Sequence, residues 1–140
     1  MILDEQLRLR DGGSSPRVTT TEAGLTTIAR DATTGRAVVQ IDKAPLKGIP
    51  ILVNHDADTG TSTDKTATVT IEACDTVDGA YAEVAKFPAV VHGAAAANNL
   101  VRRIASQKKY LRSVITVGGS DGTISVDFGI FVATGLMEED

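Results

Sequence analysis

The clearest pattern of hydrophobic and polar positions lies near the end of the chain, in TISVDFGIFV at positions 123–132. Every second residue from Ile124 to Val132 is apolar, and the positions between them hold serine, aspartate, glycine and one phenylalanine, Phe131. A period of two is typical of a strand with one buried face. The segment is therefore predicted to be a strand, with Phe131 covering a neighbour or a contact on its other face.

A second alternation lies just before it, in YLRSVITV at positions 110–117, where Leu111, Ser113, Ile115 and Val117 share one face. The two segments are separated by GGSDG. Glycine readily adopts the positive φ of a tight turn, and aspartate tolerates it. We therefore expect the two segments to pair as an antiparallel hairpin.

A third alternation predicts another hairpin in the middle of the chain. In TATVTIEA, from position 66, the residues Ala67, Val69, Ile71 and Ala73 share one face. DTVDG then turns the chain and AYAEVAKF returns it. Pro88 is expected to end this ladder, because proline has no N–H to donate.

Earlier segments carry weaker strand patterns. RAVVQI at 36–41 and GIPILVN at 48–54 are both predicted strands. Pro50 restricts the second to a sheet edge or to the first residues of a strand. Residues 12–35 are rich in Gly, Ser and Thr, and we interpret them as loops with one short strand around LTTIA, or as an arm.

The segment HGAAAANNLVRRIASQKK has two interpretations. Its alanines favour a helix, whereas Asn98 and Asn99 disfavour a helix interior and the surrounding patterns are all β. The local pattern supports a helix and a loop followed by a strand equally.

The whole chain has the size of one domain, with 140 residues, and the many short strands predict two antiparallel sheets packed face to face. We expect an all-β sandwich over residues 12–140, preceded by an N-terminal arm at 1–11.

The one cysteine, Cys74, lies within an apolar alternation and is expected to be a small buried residue. No apolar run reaches membrane-spanning length, and no signal peptide is evident, so we expect no membrane association and synthesis in the cytoplasm.

The candidate chemical motifs are weak. HDADTG places Asp56 and Asp58 as in a calcium loop, but its glycine comes one residue early and Ala67 stands where a bidentate glutamate is needed. A plain polar loop fits better. His55, His92 and one cysteine offer too few zinc ligands, and no nucleophile turn of the G-x-S-x-G type is present. The sequence therefore predicts neither an enzyme nor a bound cofactor.

Basic residues are concentrated in one short region. Five of the fourteen lie between Arg102 and Arg112. They could be a solvated face, charges that protect an edge strand, or a contact for an acidic partner. Nucleic acid is less well supported, because the net charge is −4 and Tyr110 is the one aromatic residue beside them.

Two stretches carry a resemblance to a known family. The opening MILDEQLRLRD and the late block KKYLRSVITVGG, followed by a strand ending in GIFVATG, resemble the capsid cement, or decoration, proteins of tailed phages, of the Bordetella-phage type. The likeness extends over nearly the whole chain except residues 12–35. Lys109 stands where that family usually has arginine, and Ser113 where leucine is common.

The resemblance implies a jelly-roll-like β-sandwich that binds the outer surface of an assembled phage head, at seams between major capsid protein subunits, as a homodimer on local two-fold axes. It also favours a strand over residues 99–105. We expect partner contacts from the arm and from the basic cluster, through Ile2, Leu3, Leu7, Leu9, Arg102, Arg103, Lys108, Lys109, Tyr110 and Arg112. Two other classes remain open: a carbohydrate- or receptor-binding module, and a neck or tail structural protein.

Overall fold

The computed structural model describes residues 8–10, 19, 22–23, 39–40, 48–76, 79–106 and 108–132. These residues form ten strands and no helix, so none of them lies in a helix that could span a membrane. The strands are β1 (Arg8–Arg10), β2 (Glu22–Ala23), β3 (Val39–Gln40), β4 (Ile49–His55), β5 (Thr66–Cys74), β6 (Ala82–Lys86), β7 (Val90–Val91), β8 (Ala97–Ile104), β9 (Tyr110–Gly118) and β10 (Phe128–Val132).

The strands form two antiparallel sheets, which confirms the predicted all-β sandwich. The four-stranded sheet has the order β1-β10-β4-β8. The six-stranded sheet has the order β2-β9-β5-β6, with β3 beside β9 and β7 beside β5.

The connectivity is that of a jelly roll. β3 and β7 lie beside the main strand order of the six-stranded sheet and can be set aside. Each remaining strand then lies in the opposite sheet from the one before it, except β6, which follows β5 in the same sheet. Alternation of this kind interleaves early and late strands, so that β1 lies beside β10 and β2 beside β9. The two sheets therefore close around one core that both ends of the described chain help to build.

The predicted hairpin between positions 110–117 and 123–132 is wrong. The first segment forms β9, whereas only Phe128–Val132 of the second forms a strand, β10. β9 lies in the six-stranded sheet against β5, and β10 lies in the four-stranded sheet between β1 and β4. The residues between them leave one sheet and cross to the other. Main-chain N–H groups of Thr59 and Ser62 donate to the carbonyls of Ser125 and Thr123, at 3.0 and 2.8 Å. The glycine-rich segment is thus held by a neighbouring loop and does not fold back on β9.

The hairpin predicted in the middle of the chain is confirmed, because β5 and β6 pair directly. The register shifts between Ile71 and Glu72, which marks a bulge. β6 ends at Lys86, just before Phe87 and Pro88, as expected from the missing proline N–H.

Three further segments can be compared with their predictions. Residues 97–104 form a strand that pairs with β4, so the helix interpretation is wrong. β4 lies between β10 and β8 and is therefore an inner strand, with Pro50 at its second position and not at a sheet edge. Part of the predicted strand at 36–41 is present as β3. Residues 25–29 lie outside the described residues.

The core is built from the alternating positions of the predicted strands. Ile124, Val126, Phe128, Ile130 and Val132 are all buried. Ala67, Val69, Ile71 and Ala73 face them from β5, and Leu111, Ser113 and Ile115 from β9. Cys74 is buried, as predicted, and is a free thiol.

Leu9 corrects the prediction for the N-terminal arm. β1 pairs with β10, with Arg8 opposite Phe131 and Arg10 opposite Ile130. The Leu9 side chain is 0% exposed and belongs to the core. It therefore stabilises its own chain and is not available to a partner. Ile2, Leu3 and Leu7 lie outside the described residues.

Candidate functional site

Arg102 and Arg103 lie on β8, an outer strand of the four-stranded sheet. Neighbouring residues of a strand point to opposite faces. Arg102 is opposite Ile51, whose side chain is in the core, so Arg102 lies on the inner face at the rim of the sandwich. Arg103 is opposite Pro50 on the outer face. Both arginines are exposed, and an inward-facing charge on an edge strand is a known protection against edge-to-edge pairing.

Lys108 and Lys109 lie where β8 connects to β9. Lys108 Nζ is 2.8 Å from the Asp75 carboxylate, and that hydrogen bond and charge raise the pKa of Lys108. Lys109 Nζ lies over the ring of Tyr110, 5.6 Å from its centroid. Both lysine side chains remain exposed, so they can still meet a partner.

Arg112 has an internal role. It is directly opposite Glu72 in the β5–β9 ladder, and its Nη2 and Nε lie 2.6 and 2.7 Å from Glu72 Oε1. Its guanidinium carbon is 4.2 Å from the centroid of the Tyr81 ring, a cation–π contact. Because the two charged side chains are only 14% and 20% exposed, Arg112 anchors the outer face of the six-stranded sheet.

The basic cluster is therefore divided by the fold. Arg112 is committed to Glu72 and Tyr81, and Tyr110, two positions earlier on β9, is half-buried. The exposed cations extend along β8 and its connection to β9. We call this group the cationic rim, and its members are Arg102, Arg103, Lys108 and Lys109.

The aspartates of HDADTG bind the main chain. Asp58 Oδ1 accepts from the N–H groups of Gly60 and Ser125, at 2.8 and 2.9 Å, and its Oδ2 accepts from Gly93 at 2.8 Å. Burial would raise the pKa of Asp58, but these three hydrogen bonds outweigh it and hold the pKa below its ordinary value. Asp58 thus fastens three separate loops together, as a structural polar loop would.

A second carboxylate holds the start of the crossing between β9 and β10. Asp64 accepts hydrogen bonds from the main-chain N–H of Asp121, at 3.0 Å, and from both the N–H and the hydroxyl of Ser120. These bonds lower the pKa of Asp64. Within the described residues, no group of three or more His, Cys, Asp or Glu residues is arranged to hold a metal ion.

The two histidines have different surroundings. The His55 ring is buried beside Phe128, with ring centroids 5.6 Å apart, and its Nδ1 donates to the Asp56 carbonyl at 2.8 Å. His92 is exposed, and its main-chain N–H donates to the carbonyl of Lys65 at 3.1 Å. The His55 ring is thus enclosed by its neighbours, whereas His92 lies in an exposed turn.

Sequence reasoning missed an open cleft on the outer face of the four-stranded sheet. It has a volume of about 370 Å³ and lies where β4 ends, β8 begins and β10 begins. The described residues that line it are Asn54, His55, Asp56, Ala96, Asn98, Asp127, Gly129 and Phe131. They come from three distant parts of the sequence, and the one available signal was Phe131 on the otherwise polar face of β10.

Comparison with known proteins gives no family for this chain. No family model matches it, and no similar sequence is found among the curated proteins. The resemblance to phage cement proteins therefore rests on the quoted stretches of sequence, and the function that it implies is a proposal.

Proposed function

We propose that this protein is a capsid cement protein of a tailed phage, which binds the outer surface of the assembled head and stabilises contacts between major capsid protein subunits. The observation that carries the proposal is the resemblance of MILDEQLRLRD and KKYLRSVITVGG to that family. The observed strand order agrees with it, because the resemblance implies a jelly-roll-like sandwich.

The proposed mechanism needs rigidity and affinity, and no chemical step. A protein that binds the assembled shell and not its free subunits stabilises the shell by mass action. Each site gains about 2.7 kcal/mol when the free protein is at 100 times its Kd. The loop bonds of Asp58 and Asp64 favour a rigid body, because each fixes separate segments to one another.

The proposed contact surface is the cationic rim. Its side chains project from an outer strand and the connection after it, where a partner can approach without disturbing the core. The positive charges of this region fit an acidic capsid surface, and Lys108 is held in place there by Asp75. Ile2, Leu3 and Leu7 stay in the proposal as contacts to a capsid subunit or to a second copy at a two-fold axis.

Cosedimentation tests the proposal directly. Purified protein is mixed with undecorated, assembled heads of the phage that encodes it, and separately with free major capsid protein. We expect it to pellet with the heads, to raise their resistance to heat, and to leave the free subunits unbound. Equal binding to both, or to neither, would refute the cement function.

A charge variant tests the contact surface. Replacing Arg102, Arg103, Lys108 and Lys109 with serine should weaken binding to heads. The difference in affinity between this variant and the parent should become smaller at high salt, because salt screens exposed charges. Lys86→Ser is the matched control, because Lys86 is an exposed lysine on β6, outside the cationic rim. Full occupancy by the quadruple variant would rule out the rim.

A deletion separates the arm from the body. Removing residues 2–6 leaves β1 and the buried Leu9 in place. We expect weaker head binding or loss of the dimer, measured by sedimentation. Unchanged binding and unchanged oligomeric state would remove the arm from the interface.

Labelling distinguishes the cement function from a neck or tail role. If gold-labelled protein marks one vertex instead of the whole shell, the protein belongs to the neck or tail.

A further inference from the structure

The strand β8 leaves one long sheet edge open. In the described part of the chain it ends the four-stranded sheet with eight residues and pairs only with β4. The other strands that end a sheet are shorter, with three residues in β1, two in β2 and five in β6. The β5–β6 ladder also contains a bulge, which discourages further pairing at that edge. The main chain of β8 is therefore the edge best suited to another strand.

The second half of β8 is regular enough to be extended. Its register shift against β4 lies between Val53 and His55, and residues 100–104 follow it in unbroken register from Val53 to Ile49. An added strand would meet evenly spaced main-chain groups over these five positions.

Val101 marks where an apolar row stops at this edge. On the outer face Phe131 lies opposite Leu52, and Leu52 lies opposite Val101, so the row crosses three strands. Leu52 is only 1% exposed, whereas Val101 is 42% exposed and is one of three exposed large hydrophobic side chains among the described residues. A strand beside β8 would place a residue directly opposite Val101 and cover it.

Arg102 determines the charge that such a strand should carry. It is an exposed member of the cationic rim and forms no ion pair with any other described residue. A residue opposite it in an added strand would have its Cβ about 4.5–5.5 Å away. Opposite charges stabilise a pair at that distance and like charges destabilise it. The edge therefore favours an acidic residue at this position.

The arginines also argue against a second copy of this chain as the occupant. Pairing of two β8 strands would concentrate the Arg102 and Arg103 charges of both copies on one short ladder. A carboxylate in the incoming strand removes that repulsion. The charge that protects the edge from self-pairing thus selects for a strand of opposite charge.

We propose that β8 binds an extended, acidic segment of the major capsid protein as a fifth, antiparallel strand. This rests on the proposed cement function and specifies its contact. Main-chain hydrogen bonds supply affinity, and side chains at alternate positions supply specificity. The segment carries an apolar residue opposite Val101 and, next to it, an aspartate or glutamate opposite Arg102.

Hydrogen exchange of the head-bound protein tests the mode of contact. Amide exchange of the parent protein on assembled heads is compared with that of the free protein by mass spectrometry. We expect exchange to slow in peptides that cover residues 97–104, because the added strand takes up N–H groups on the open edge, and to stay unchanged in β6. If the protein binds heads but β8 exchanges as in the free protein, this inference is wrong and the cement function stands. Failure to bind heads refutes the cement function, and with it the capsid segment as occupant.

Synthetic peptides test the charge selection on the isolated protein. The probe is the fluorescein-labelled heptapeptide TTEVTTT, with TTQVTTT and TTKVTTT as controls, measured by fluorescence anisotropy. We expect the glutamate peptide to bind about fivefold more tightly than the glutamine peptide, and the lysine peptide to bind least. Equal binding of the three, or no binding at millimolar peptide, would contradict the selection of an acidic strand.

Two N-methylated forms of the glutamate peptide test the main-chain pairing. One is methylated on the odd-numbered nitrogens and the other on the even-numbered ones. Only alternate N–H groups of an added strand face β8, so one form should lose binding at least tenfold and the other should lose less. Equal binding of both forms and the parent peptide would show a contact through side chains alone.

A charge exchange places the peptide at Arg102. Arg102→Glu should reverse the order, so that the lysine peptide binds more tightly than the glutamate peptide. The side chain is exposed, so the variant should fold. Lys86→Ser, at an exposed lysine on β6, is the control and should keep the parent order. An unchanged order in Arg102→Glu would exclude β8 as the site. Concentration-dependent dimers of the free protein with slowed exchange in β8 would make a second copy the occupant and overturn the proposal.

Discussion

Arg112 and Glu72 face each other across the two central strands of the six-stranded sheet, with Arg112 Nη2 2.6 Å from Glu72 Oε1. The pair is mostly shielded from water and is covered by the ring of Tyr81. In the sequence Arg112 is one of five clustered cations. In the fold its charge is used for contacts within its own chain.

Removal of this arginine should destabilise the free protein. Arg112→Ala leaves the Glu72 carboxylate shielded without its cation and removes the stacking on Tyr81, so we expect the free energy of unfolding to fall by about 2–4 kcal/mol. Urea unfolding measures it. Lys108→Ala removes an exposed pair of the same kind, with side chains 54% and 65% exposed, and should change stability little. Equal effects of the two variants would contradict the role assigned to Arg112.

Leu9 gives a direct test of whether β1 is part of the folded body. Its side chain is fully buried, so Leu9→Ala should lower the free energy of unfolding by about 2–4 kcal/mol, through lost burial and the cavity left behind. Val101→Ala is a control on an exposed apolar side chain of the same sheet. A Leu9 variant as stable as the parent chain would mean that β1 does not dock in solution.

Acid should loosen the loops that Asp58 and Asp64 hold. Both carboxyl groups have a pKa lowered from the ordinary 3.8 by hydrogen bonds that favour the ionised form. A lowered folded-state pKa means that the stabilisation is complete above 3.8 and is lost as the pH falls from there through the lowered pKa.

The measurement is the thermal midpoint of unfolding across that pH range. The double variant Asp58→Ala, Asp64→Ala should be less stable at neutral pH and should lose less further stability on acidification than the parent. Parallel pH curves for the two proteins would show that other groups control the acid response.

Two glycines with positive φ form a matched pair. A Cβ at Gly122 (φ 62°) would lie 2.8 Å from Ser62 Cα, whereas one at Gly93 (φ 71°) would meet nothing within 4 Å. Gly93→Ala should therefore cost only the backbone strain of about 1–2 kcal/mol, and Gly122→Ala should cost clearly more because main-chain atoms must shift. Thermal unfolding of both variants measures the difference. The reverse order would mean that the crossing segment packs less tightly on its neighbouring loop.

The alternation of residues predicted which faces are buried and, with its turn, the pairing of β5 with β6, but it did not predict the partners of β9 and β10. Val69, Ile71, Phe128 and Ile130 are in the core as expected, because a period of two depends only on local geometry. GGSDG looks the same in a tight hairpin and in a crossing between sheets. What distinguishes them is Asp64, which lies far away in sequence and captures the N–H groups of Ser120 and Asp121.

The same limit applies to the candidate sites. The sequence groups Arg112 with Arg102 because they are close along the chain, whereas the fold places Arg112 opposite Glu72 and Arg102 on the rim of the other sheet. The cleft could not be predicted from the sequence for the same reason, because Asn54, Asn98 and Asp127 come together only after three strands have paired. Composition offered no hint, because each of these residues is ordinary in a loop.

The place of β10 between β1 and β4 also has a consequence for synthesis. On a ribosome, β1 emerges early and must wait for its hydrogen-bonding partner until nearly all of the described chain has been made. Until then, β1 and β4 each present an unpaired edge, and the core lacks Phe128, Ile130 and Val132. We therefore expect a nascent chain stalled before β10 to be sensitive to protease and prone to aggregate, and to become resistant only after release.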